Sequence, residues 1–118
     1  MLDRTKKAYL IWSRYHGALP KQHRYSIGQR IDSLLIEMIE AIAQAAFIPR
    51  EEKMPWVRAA IRKLDALKVL LMVLWETKSL DTKKYVALSE QLDEVGKMLG
   101  GWSGQLAKLG PAKARGEK

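Results

Sequence analysis

The chain has 118 residues, 47% hydrophobic and 29% charged, with 21 Lys/Arg against 13 Asp/Glu and a formal net charge of +8. That length and apolar share predict one globular domain and argue against a disordered chain. The absence of cysteine excludes disulfides, thiolate metal sites and a cysteine nucleophile.

Four helices are predicted, in chain order. The first covers about Arg4 to Ala18, with Ala8, Ile11, Trp12, Tyr15 and Leu19 on one side, and the stretch around Pro20 as far as Arg24 is the connection. The second covers about Ser26 to Phe47, with Ser26 and Gln29 at the spacing of a capping box. A connection from Pro49 to Pro55 leads into the third, about Trp56 to Lys78, where Pro55 suits the first helical turn. The fourth begins near Asp81 and ends around Leu109, ahead of Gly110-Pro111. Its apolar seam is Tyr85, Leu88, Leu92, Val95, Leu99, Trp102 and Leu106, alternating steps of three and four. Gly96, Gly100 and Gly101 interrupt this helix at a cost of about 1 kcal/mol each relative to alanine, so its backbone is expected to approach something closely.

Long helices, short connections and no period-two alternation predict an all-α, antiparallel up-down four-helix bundle. The domain is read as residues 1–109, with a short basic tail at 110–118 expected to be disordered. The third helix, through Val69-Leu-Leu-Met-Val-Leu-Trp75, is apolar around its circumference. The second, with Ile31, Leu34, Leu35, Ile36, Met38, Ile39, Ala41, Ile42 and Ala43, is wider than one stripe. In so small a domain, both point to a further subunit as cover.

The opening residues Met1 to Lys7 are polar, and the apolar stretch Ala8 to Trp12 gives way to Ser13 and Arg14, so no signal peptide is read. The longest continuous apolar run, Val69 to Trp75, is far short of the ~20 residues of a membrane span. A soluble cytoplasmic protein is the expectation.

The charge is uneven. Residues 1–30 hold seven Lys/Arg against Asp3 alone, and residues 57–79 hold five against Asp65 and Glu76. A polyanionic partner and a merely solvated basic face both fit this imbalance. No catalytic constellation accompanies it. His16 and His23 lack the i, i+4 zinc-ligand spacing, and Glu37 with Glu40 lack the Glu-x-x-His partner of carboxylate-bridged metal bundles, which leaves them to a surface edge or an intersubunit ion pair. HEPN-type ribonucleases place a histidine four to six residues after an arginine. Arg14 precedes His16 by two and His23 by nine, so that motif is missing. There is no phosphate-cradling G-x-x-x-x-G-K-[ST] loop. Trp75, Tyr85 and Trp102 lie on apolar seams and are read as core, whereas Trp12, Tyr15 and Tyr25, near the basic N-terminal region, are candidate base-stacking contacts.

Four strings then stand in order: Leu10-Ile-Trp12; Leu19-Pro-Lys-Gln-His-Arg-Tyr25 with Gly28-Gln-Arg-Ile31; Lys63-Leu-Asp-Ala-Leu-Lys-Val-Leu-Leu71; and Tyr85 followed by Leu92-Asp-Glu-Val-Gly-Lys-Met-Leu-Gly-Gly-Trp102. Together they resemble Avd, the accessory variability determinant of diversity-generating retroelements, within a wider group of four-helix bundles that includes proteins encoded in ribosomal RNA intervening sequences. The resemblance implies a barrel-like homopentamer with a positively charged surface and no catalytic activity, and neither a cofactor nor a metal is expected. Its implied partners are the retroelement's reverse transcriptase and nucleic acid, as template RNA or cDNA, in mutagenic retrohoming. The alternative is an intervening-sequence-type protein associated with RNA or ribosomes, although the Asn-x-x-Glu-Gly motif typical of those relatives is missing. The family's basic pair, L-R-x-x-L-R, corresponds to Lys68 and Met72, so the second charge is replaced and neighbouring Arg62 and Lys63 are expected to supply it. Lys97 matches the basic position of G-[RK]-x-L-G, and Lys21, Arg24 and Arg30 match basic positions around the first connection. These seven cations are the expected contacts to nucleic acid or polymerase, acting electrostatically.

Overall fold

The computed structural model describes the backbone of residues 1–116 and side chains through Lys108. Four long helices carry the fold: α1 (Leu2–Ala18), α3 (Ile27–Ala46), α4 (Lys53–Glu76) and α5 (Thr82–Gly116). A single turn, α2 (Lys21–Arg24), and a 3-10 turn (Arg50–Glu52) tighten the first two connections. No strand occurs among the described residues. Each long helix packs mainly on two neighbours, in the cyclic order α1, α3, α4, α5 and back to α1, with α3 against α4 the most extensive pairing. That is an antiparallel four-helix bundle, 57 Å long and 20 Å across.

The periodicity argument fixes the core. Leu88, Leu92, Val95, Leu99 and Leu106 of the α5 seam are buried, against Trp12, Leu35, Met38, Leu67 and Leu71 from the other three helices. Tyr85 and Trp102 of the same seam are half-buried and pack against this core. The surplus apolar surface of α3 and α4 stays uncovered: Ile36 is 40% exposed, Val69 58% and Met72 42%.

Several local expectations need correction. Ser26 precedes α3 but makes no side-chain cap; its hydroxyl donates to the Gln22 carbonyl at 3.0 Å, because the α2 turn brings that carbonyl within reach. α3 is left without a side-chain cap, whereas α5 has one: Asp81 Oδ1 accepts the Lys84 backbone N–H at 2.8 Å. The helical backbone of α5 runs to Gly116 rather than ending near Leu109. Pro111 removes one N–H, yet Ala112, Lys113, Ala114 and Arg115 are strong helix formers that carry the helix on. The disorder expected of the 110–118 tail falls on residues whose side chains, and for 117–118 the backbone, lie outside the described residues.

The glycines also divide. A Cβ on Gly96 would sit 3.3 Å from Leu64 Cδ2, so α4 and α5 do approach closely there. Gly100 and Gly101 have nothing within 4 Å within the chain, so close packing inside one subunit does not explain them. Among the described residues the tightest glycine is Gly28, where a Cβ would lie 2.9 Å from both the His23 carbonyl oxygen and Leu19 Cδ1. It lets α3 start directly beneath the α2 turn.

Candidate nucleic-acid interface

Three of the seven expected cations come together. Arg30 on α3 and Arg62 and Lys63 on α4 line an open groove of about 200 Å³, whose remaining walls are Leu34, Ala59 and Ala66. The two alanines keep the wall low, so the charged heads stand at the rim. One carboxylate meets these cations: Glu37 lies 3.1 Å from the Lys63 ammonium and 4.0 Å from the Arg30 guanidinium. Glu37 is therefore bound within the subunit, and the intersubunit pairing expected as one possibility is not needed to explain it. Arg58 and Arg62, both exposed on the outer face of α4, have no acidic partner among the described residues. The groove keeps a positive surplus.

The other four cations do not join it. Lys68 is held 3.0 Å from Asp93 across the α4–α5 groove, and Lys97 lies 3.4 Å from Glu94. With Asp65 also lining that groove, its charges nearly balance and leave little attraction for a polyanion. Met72, at the second position of the family's basic pair, is 42% exposed and adds no charge. Arg24 is occupied: its Nε and Nη2 both donate to the Leu19 carbonyl, at 3.2 and 2.9 Å, which ties α2 to the end of α1. Lys21 is exposed beside it, at the end of the bundle remote from Trp56.

The aromatic expectations change more. Trp12 is fully buried, stacked on His16 at 5.1 Å, with its indole N–H donating to Asp32 at 3.3 Å. A buried indole with a satisfied N–H is a core anchor, not a base platform. Asp32 also accepts from Tyr9, and burial together with this hydrogen bond and the carboxylate charge raises the Tyr9 pKa above its usual value. Tyr15 is half-buried beneath the Lys84 ammonium, 5.6 Å away. Tyr25 alone of the three expected contacts is open, at 68% exposure. Trp75, read as core, is 38% exposed; it stacks on Tyr85 at 5.0 Å and donates to Thr82 at 3.0 Å. The sequence reading missed Phe47 and Trp56, exposed by 85% and 42% at the α3–α4 end. Trp56 lies off the buried stripe of α4 (Val57, Ala60, Leu64, Leu67, Leu71 and Leu74), a direction that only the packed neighbours reveal.

Among the described residues no group of three or more His, Cys, Asp or Glu side chains converges as a metal site. Among them, too, no helix is long and apolar enough to cross a membrane.

A family model described as bAvd-like matches residues 4–106, most of the chain and all four long helices. The chain belongs to the bAvd-like family. The match extends across each string on which the sequence resemblance rested, from Leu10-Ile-Trp12 to the glycine-bearing seam of α5. Comparison with curated proteins and with solved structures returned no match. Within a bAvd-like bundle, then, the Arg30–Arg62–Lys63 groove is one place, among the described residues, where positive charge exceeds negative between two helices.

Proposed function

We propose that this bAvd-like chain is the non-catalytic accessory protein of a diversity-generating retroelement, binding the reverse transcriptase and its template RNA or cDNA in the cytoplasm to support mutagenic retrohoming. Membership of the family carries the reading, and the basic α3–α4 groove supports its nucleic-acid part. Phosphates neutralised by Arg30, Arg62 and Lys63 release counterions, so binding weakens as salt rises. Side chains of this kind position a backbone and read no sequence; specificity belongs to the RNA and the polymerase.

The chain acts as a homo-oligomer, a pentamer by family resemblance. The outward faces of Ile36, Val69 and Met72 support this, because they leave apolar area on two adjacent helices for another subunit to cover.

The test is co-expression of tagged protein with the reverse transcriptase encoded beside it, followed by pull-down at two salt concentrations with and without nuclease. Retention of the polymerase after nuclease is expected. Its loss, with RNA still bound before nuclease, would favour the intervening-sequence-type reading.

A further inference from the structure

Trp56 opens α4 on the edge that faces α3. Trp56, Ala59, Lys63 and Ala66 follow one another at helical steps of three and four, so the indole stands at the loop end of the same edge that walls the basic groove. From Trp56 to Ala66 the edge rises about 15 Å. Phe47 closes α3 at that same end and is the most exposed large apolar side chain among those described. Arg58 and Arg62 flank the edge on the solvent side.

Aromatic faces at one end of an unneutralised cationic groove are the parts of a single-strand site. Bases in a duplex are stacked inside and offer no face to an indole; unpaired bases do. We infer that the α3–α4 groove is a single-stranded nucleic-acid track, in which Trp56 and Phe47 stack bases while Arg58, Arg62, Lys63 and Arg30 hold the phosphates that follow. The inference rests on the nucleic-acid reading above and specifies which strand class the groove takes and in which direction it lies. The backbone runs from the aromatic end toward Arg30, along the cations of the groove.

The experiment measures anisotropy of a labelled 12-nucleotide oligouridylate and of a labelled RNA duplex of mixed sequence, with the full chain and its variants at fixed salt. Trp56→Leu keeps apolar bulk without an indole, Trp56→Phe keeps an aromatic face, and Phe47→Leu tests the second platform at a position with little packing to lose. Helicity and oligomeric state of each variant are checked alongside. Trp56→Leu is expected to weaken oligouridylate binding by roughly 5- to 150-fold, the range for losing one stacked base. Duplex binding should stay within about twofold, and Trp56→Phe should recover most of the loss. Phe47→Leu should weaken the single strand in the same selective way.

Unchanged oligouridylate binding in both leucine variants would overturn the track, and the phosphate-binding groove would stand alone. Equal losses for single strand and duplex would also overturn it. So would variants that keep RNA but lose the reverse transcriptase, because the aromatic end would then be a protein-docking patch. If the wild-type chain bound neither RNA, the nucleic-acid reading itself would fall with the track.

Discussion

Replacing Gly28 by alanine tests the account of how the first connection is built. The added Cβ meets the His23 carbonyl oxygen at 2.9 Å, Leu19 Cδ1 at 2.9 Å and His16 Cδ2 at 3.0 Å. Leucine and histidine side chains can turn aside, but the carbonyl belongs to the α2 turn and receives the Ser26 N–H. His16 is itself fixed by a 2.9 Å hydrogen bond to the Arg24 carbonyl, so relief requires the whole connection to move. Overpacking of this kind costs about 1–3 kcal/mol. The usual gain from alanine in a helix, at most about 1 kcal/mol, is reduced at so early a helical position. The net expectation is a loss of about 1–2 kcal/mol, or roughly 4–8 °C in Tm for a chain of this length. Gly101→Ala is the internal control: nothing lies within 4 Å of its Cβ position, and it should gain about 1 kcal/mol. Urea and thermal unfolding followed at 222 nm, at matched protein concentration, compare the two. A Gly28→Ala protein as stable as wild type would refute the tight-contact argument. A Gly101→Ala protein destabilised only at concentrations where the chain self-associates would place a neighbouring subunit over that glycine.

Three further outcomes are expected. Lys78 ends α4 at φ 66°, in the left-handed region, while the Ser79 N–H bonds back to the Leu74 carbonyl at 2.9 Å. Lys78→Gly should therefore raise stability by about 1 kcal/mol, about 4 °C by calorimetry, and an unchanged Tm would contradict the strain. The Tyr9 pKa is raised by burial and Asp32, so its neutral form is the one the fold stabilises. That contribution is complete below the unfolded tyrosine value near 10 and is lost as pH climbs through the higher folded value. Urea midpoints between pH 9 and 11.5 should decline less steeply for Tyr9→Phe than for wild type, and identical slopes would sink the assignment. Val69→Glu with Met72→Glu should leave helicity intact and reduce the mass in size-exclusion light scattering, since both side chains point outward. An unchanged oligomer would move the subunit contact to another face.

The fold was legible because its signals are local and repeated. The three-and-four seam from Tyr85 to Leu106 specifies one face of α5 whatever it packs against, and prolines 20, 49 and 55 mark the connections. The connections themselves were not legible in detail, since they turn on contacts made after folding. Ser26 looked like an N-cap by residue type, yet a carbonyl freed by the α2 turn competes for its hydroxyl. Charge was readable as a total but not as a site. Arg24 and Lys68 looked like ligand contacts in the sequence, but a carbonyl and Asp93 occupy them in space. Arg30, Arg62 and Lys63 stayed together because antiparallel packing of α3 on α4 places their turns side by side, and Glu37 confirms that register by reaching both helices. Trp12 misled for the same reason that Trp56 was missed: aromatic type says nothing about direction until the partner helix is in place.

The most direct test of the central claim is the salt dependence of RNA binding by the wild-type chain and by the Arg30→Ala, Arg62→Ala, Lys63→Ala triple variant. Dissociation constants for a single-stranded RNA would be measured from about 50 to 300 mM salt. The account predicts a steep log–log decline for the wild type and a slope shallower by about 2 in the variant, from three lost contacts at ~0.7 each, with helicity and assembly unchanged. Equal slopes and equal affinities would contradict it, because the groove would then hold no phosphates.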